Sequence, residues 1–263
     1  MEATIRRQLG IFFGVTLLVS WLIWLPAVLQ GQGMAIPVPF LILSMFASFI
    51  PSIVGLVGLG KESKTSLWQS LKVKMRPGGG LVPWLLGLVL VPIIGLLSYI
   101  LVSRLDPGFP GQINGDPLAV VITFLVILVM GGALGEEMGW RGYALPKLQD
   151  LYSPLVASLV LGVIWSLWHA PLFFMEGTVQ SNIPWWQFGL QNTLMAFYYT
   201  WLYNRSKGNL TLMIVFHAVA NTTAAIFPYW QTDLGRWIGF GLLALPVLLA
   251  LLRGDFSRDR AYK

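Results

Sequence analysis

The chain has 263 residues, of which 56% are hydrophobic and 11% charged, against about 25% charged in ordinary soluble domains. That balance excludes a string of soluble domains, and the absence of cysteine excludes disulfides, cysteine metal sites and a thiol nucleophile. The net charge of +6 does not indicate a nucleic-acid partner, because the basic residues are scattered over the breaks between apolar runs.

Those runs recur at about the 20-residue length that crosses a bilayer. The expected fold class is all-α: a polytopic membrane protein of about eight transmembrane helices, with both termini cytoplasmic. The spans are predicted over roughly residues 9–29, 37–59, 81–102, 118–147, 154–175, 186–203, 210–227 and 237–252. Arg6-Arg7 before the first run resembles a secretory signal, but the run is too long and no small-residue cleavage site follows. The orientation comes from the basic residues of alternate breaks. Arg6 and Arg7 precede the first span, and Lys61, Lys64, Lys72, Lys74 and Arg76 follow the second. Lys147, the pair Arg205 and Lys207, and a tail with Arg253, Arg258, Arg260 and Lys263 complete the set. The opposite breaks hold only Arg104 and Arg236. The whole chain, 1–263, reads as a single integral membrane domain with a core over about 118–227.

Several helix starts are written into the chain. Asp116-Pro117 and Ser153-Pro154 each offer an N-cap followed by proline at the first helical position. Gly208-Asn209 separates the sixth span from the seventh. Ser66 and Gln69 have capping-box spacing. The segment they open puts Leu67, Trp68, Leu71 and Met75 on one side, a basic amphipathic helix suited to an anionic leaflet. No internal repeat is present, so an inverted-repeat transporter gains no support.

The fourth run changes character at Gly135-Glu136-Glu137-Met138-Gly139-Trp140-Arg141, with three charges in six residues after an uncharged stretch. Charges at membrane depth cost roughly 2.5–3.5 kcal/mol each and mark functional sites. Glu137 and Arg141 are i, i+4 and can pair on one helix face. Glu136 points about 100° away from that pair. Folding the fourth and fifth spans into a hairpin about residues 150–153 places Glu136 and His169 at equal depth. His217 and Asn221 are again i, i+4, about 12 Å below the interface by helix rise.

The group offers a carboxylate base, an imidazole to position or share a water's proton, and an imidazole and carboxamide that donate to an oxyanion. Glu136, His169 and His217 are equally a three-ligand zinc set with an open fourth position. Both readings lead to hydrolysis by activated water. No further acidic residue lies in the fifth or seventh span to orient a metal-bound histidine, and Glu137 is assigned to Arg141. The expectation is therefore activity with no tightly bound zinc.

Glu136-Glu137-x-x-x-Arg141, Trp165-x-x-x-His169 and His217-x-x-x-Asn221 resemble the three ordered motifs of the CAAX-processing and bacteriocin-processing intramembrane proteases, also called the Abi family. The match covers about residues 131–221. The family's second motif usually begins with Phe, and here Trp165 stands in that place. The resemblance implies an eight-helix, glutamate-dependent protease with its site open to the cytosolic side, in a family long described as metalloproteases. It implies that Glu136 and His169 activate water, that His217 and Asn221 form the oxyanion site, and that Glu137 and Arg141 hold the first carboxylate. The expected partners are the lipid bilayer and a peptide or protein substrate at the cytoplasmic membrane face, prenylated substrates among them. The expected location is a prokaryotic cell membrane. Two alternatives stand beside this reading: a non-catalytic immunity or scaffold protein on the same fold, and a proton-coupled transporter, which requires helix breaks within spans.

Overall fold

An apolar segment with no water to bond its backbone must satisfy each N–H and C=O internally, and a helix does so. The computed structural model describes residues 1–37, 40–63, 65–76, 78–113, 115–130 and 132–257, and these form helices and connecting loops with no strand. Lys64, Arg258, Arg260 and Lys263 of the topology reading, and Gly131 at the edge of the motif region, lie outside the described residues.

Helix α1 is Glu2–Gly31, α2 is Phe40–Glu62 and α3 is Leu67–Lys74. Helix α4 runs over Leu81–Leu105 with a π turn at Leu86–Leu90, and α5 is Pro117–Val129. Helix α6, residues 133–151, is α-helical over Ala133–Gly139, π-helical over Trp140–Ala144 and α-helical again over Leu145–Leu151. Then come α7, Pro154–Trp168, and a 3₁₀ turn, Ala170–Phe174. Helices α8 (Trp185–Arg205), α9 (Leu210–Ile226) and α10 (Asp233–Leu252) complete the order.

The expected caps form. Asp116 accepts from the Ala119 N–H at 2.8 Å, Ser153 from Val156 at 3.4 Å and Asn209 from Leu212 at 3.1 Å. Ser66 and Gln69 make a reciprocal capping box at the start of α3. Each cap satisfies a donor that the first helical turn leaves unpaired.

Among the described residues, six helical runs are long and apolar enough to cross a membrane: Glu2–Gly31, Met45–Glu62, Leu81–Leu105, Pro117–Leu151, Pro154–Phe174 and Asp233–Leu252. Helix α9 is apolar but shorter. Helix α8, which carries Gln187, Gln191, Asn192 and Thr193 in its first half, is not among the six.

Two expected spans are not continuous. The fourth breaks between Val129 and Ala133, where Gly132 takes φ +104°, a conformation that costs glycine little and other residues much. The fifth stops at Trp168, with His169 as its C-cap. Pro171 explains this, since its ring has no N–H and clashes with the carbonyl four residues back.

Glycine spacing sets how closely α2 and α6 approach. A Cβ on Gly55 would lie 2.8 Å from Gly139 Cα, and one on Gly139 would strike the Pro51 carbonyl. Gly135 meets the Ser48 backbone in the same way. This is the small-x-x-x-small contact that lets helix backbones touch where no hydrophobic force drives association. It turns the Gly135–Gly139 face onto α2. Glu136 and Glu137, lying between, therefore face away from α2, towards α7 and α9. At one end of the bundle, Glu62 of α2 accepts from Tyr143 and Lys147 of α6, each at 2.6 Å.

Candidate active site

Residues of α1, α2 and α5 to α9 line a cavity of about 490 Å³ whose wall includes Glu136, Trp165, His169, His217 and Asn221. Glu136 is 5% exposed, His217 3% and His169 9%. Glu137 and Arg141 do not line the cavity; both are fully buried behind it.

Glu136 is held by two indoles. Trp165 Nε1 donates to its Oε2 at 2.6 Å and Trp140 Nε1 to the same oxygen at 3.3 Å. The first crosses from α7. The second is the i, i+4 neighbour on α6, and its ring is wedged edge-on against Phe12 and Trp168. The other oxygen, Oε1, sits beside Gly132, where a Cβ would strike it and would lie 3.6 Å from His217 Nε2. The missing side chain at Gly132 thus leaves open space shared by the carboxylate and an imidazole nitrogen.

His169 Nδ1 lies 2.8 Å from the Trp165 carbonyl. A carbonyl only accepts, so Nδ1 carries the hydrogen and Nε2 keeps its lone pair. The ring is gripped edge-on by Trp168 and Phe188, with centroids 4.7 and 5.1 Å away. Helix termination produces this arrangement: the end of α7 leaves the Trp165 carbonyl free, and the imidazole of its C-cap supplies the donor.

His217 Nδ1 meets Glu137 Oε1 at 2.7 Å, and Arg141 Nη1 donates to the same oxygen at 2.7 Å. The sequence reading gave Glu137 to Arg141 alone and left His217 with no carboxylate partner; the structure corrects both points. The correction has a simple origin. The carboxylate reaches His217 from α6, not from the histidine's own helix. The expectation that no group orients a metal-binding histidine therefore does not hold, since both imidazoles have Nδ1 fixed by an acceptor.

The Arg141 guanidinium is sandwiched between Trp165 and Tyr199, 4.4 and 3.7 Å from their ring centroids. Its Nε and Nη2 have no hydrogen-bond acceptor among the described residues. The two aromatic faces substitute for those acceptors, and desolvation strengthens such cation–π contacts to about 2 kcal/mol or more.

Among the described residues no group of three His, Cys, Asp or Glu side chains is arranged to hold a metal ion. As placed, Glu136, His169 and His217 do not form a three-ligand zinc site. Three contributors were missed in the sequence. Trp140 carried a usable signal, its i, i+4 spacing from Glu136. Gly132 carried a weak one, a glycine ending an apolar run. Tyr199 carried none, because only the packing of α8 brings it to Arg141.

Residues 118–223 match the family model for the type II CAAX prenyl endopeptidase Rce1-like proteins. The chain is also 26% identical to CAAX prenyl protease 2 of Methanococcus maripaludis, in an alignment covering 88% of this chain and 89% of that protein. The matched segment runs from the start of α5 to the last turns of α9 and includes every cavity-lining motif residue named above. Residues 118–223 thus form a domain of the Rce1-like type II CAAX prenyl endopeptidase family.

Proposed function

We propose that this chain is an intramembrane endopeptidase that hydrolyses peptide bonds of membrane-associated peptides or proteins, prenylated CAAX sequences among them, with water activated by Glu136 and His169. The observation that carries this reading is the convergence of the buried Glu136, His169 and His217 and the exposed Asn221 on one cavity, within the segment that matches the endopeptidase family. CAAX prenyl protease 2 of M. maripaludis supports the same reaction class.

The residue roles follow from donor and acceptor chemistry. Glu136 takes a proton from water as the water oxygen adds to the scissile carbonyl, and His169 Nε2 accepts from the same water and orients it. The carbonyl oxygen becomes an oxyanion, which the Asn221 amide and His217 Nε2–H stabilise. The intermediate collapses as Glu136 returns its proton to the leaving amine. His217 already donates from Nδ1 to Glu137. Donating from Nε2 as well requires the imidazolium, whose charge Glu137 balances.

The chain is further proposed to be a single integral membrane domain with the core about 118–227. It would cross the bilayer eight times, with α8 and α9 adding two crossings to the six long apolar runs. Both termini and the site opening would face the cytoplasm of a prokaryotic cell. The test is to incubate purified wild-type protein and Glu136→Gln with farnesylated and unmodified peptides and read cleavage by mass spectrometry. The amide of Glu136→Gln still accepts from both indoles, so the variant should fold and insert. Cleavage by the wild type and none by the variant is expected. Equal turnover by the variant, or no cleavage of any peptide by the wild type, would overturn the proposal.

A further inference from the structure

Helix α3 takes no part in the cavity, and none of its residues is buried. Its position is nonetheless fixed by its neighbours. It lies between the end of α2 and the start of α4, both parts of membrane-length apolar runs, and its connections are short on both sides. Two consecutive spans bring their joined ends to the same surface, so the segment between them lies at the membrane–water boundary. Its far end is also pinned to the bundle, because Thr211 at the start of α9 donates to the Met75 carbonyl at 2.9 Å.

The outward face of the segment has a defined chemistry. Trp68 is 64% exposed and Met75 37%, and at 100° per residue they lie on the same side of the helix. Lys72 is one turn from Trp68 and its ammonium sits 5.6 Å from the indole centroid. Arg76 follows at the next interval of four. Among the described residues, none of Lys72, Lys74 and Arg76 forms a salt bridge. The sequence holds no acidic residue between Glu62 and Asp106, and Glu62 is already engaged by Lys147 and Tyr143. Lys74 is only partly exposed and faces both Lys147 and Asp150, so Lys72 and Arg76 carry the outward charge. An exposed tryptophan at headgroup depth, bordered by uncompensated cations, complements an anionic leaflet.

We propose that Trp68, Lys72 and Arg76 form a docking surface for the headgroups of anionic phospholipids, which α3 recruits from the surrounding leaflet. This does not depend on the endopeptidase reading, because no residue of the cavity is involved.

The chain has no cysteine, so a single fluorophore can be placed by Met75→Cys. The labelled protein is reconstituted in vesicles of phosphatidylcholine containing phosphatidylglycerol. Quenching is then compared when the nitroxide label is carried on one lipid or the other. A basic residue near an anionic surface changes association about five-fold, so labelled phosphatidylglycerol should quench several-fold more strongly. The preference should fall towards unity in Lys72→Gln/Lys74→Gln/Arg76→Gln, and in molar salt with the charges intact, a measurement that needs no altered fold. Equal quenching by the two lipids, no quenching by either, or a preference unchanged by both salt and charge removal would each overturn the proposal.

Discussion

His217 Nδ1 lies 2.7 Å from Glu137 Oε1, the same oxygen that accepts from Arg141 Nη1. One buried carboxylate therefore serves two cations or donors at once, and its removal has two separable consequences. Glu137→Gln leaves Arg141 buried without its anion, which costs about 3–5 kcal/mol. The double variant Glu137→Leu/Arg141→Met removes both charges together, and such apolar replacements of buried pairs are often neutral in stability. Thermal denaturation in detergent should show a large loss for the single change and substantial recovery for the double. Cleavage should stay low in both, because His217 has lost its anionic partner either way. Recovery of cleavage in the double variant would show that the His217 contact is dispensable.

Trp165 stands where the family's motif usually has Phe, and the structure gives the larger residue a function: its N–H reaches Glu136 at 2.6 Å. Trp165→Phe keeps an aromatic face for Arg141 and removes only that donor. A hydrogen bond to a charged group contributes about 1.5–3 kcal/mol. Trp140 remains as a weaker second donor at 3.3 Å, so the loss should be at the low end, about ten-fold in cleavage rate, with little change in thermal stability. A wild-type rate would mean that Glu136 does not need the indole to stay in place.

The apolar runs and their caps were legible because membrane solvation leaves few choices for the backbone. The Glu137–Arg141 pair was legible because it is local. What the sequence reading missed was tertiary in each case. Glu137 reaches His217 across eighty positions of chain, and no periodicity encodes that distance. The break before Ala133 rests on a glycine conformation, which the sequence permits without requiring. Glycine spacing at Gly135 and Gly139 was visible in the sequence, but its partners at Ser48, Pro51 and Gly55 emerge only once α2 packs on α6.

The proposed orientation rests on lysine and arginine asymmetry, and single cysteines test it directly. Thr65, Lys207 and Ser257 are exposed, as are Gln32, Gln112 and Ser181. Impermeant thiol reagents should reach cysteines at the first three positions only from the cytoplasmic side, and at the second three only from the opposite side. A label on the wrong side would remove a crossing from the eight.

Metal removal is the remaining discriminator. The orientation of the imidazoles is favourable to zinc, since His169 and His217 each have Nδ1 fixed by an acceptor and Nε2 left over. The donor set is not. Zinc needs its ligands together at about 2.0–2.2 Å from one point, and no such trio occurs among the described residues. Glu136 has one oxygen committed to two indoles, and Asn221, one turn from His217, is a carboxamide suited to donating to an oxyanion. Elemental analysis of active protein should therefore give well under stoichiometric zinc, and prolonged 1,10-phenanthroline treatment should leave most of the cleavage. The opposite result is equally sharp: stoichiometric zinc, loss of cleavage when it is stripped and recovery when it is restored. That outcome would require the free Oε1 of Glu136 and the Nε2 atoms of both imidazoles to converge on the space beside Gly132.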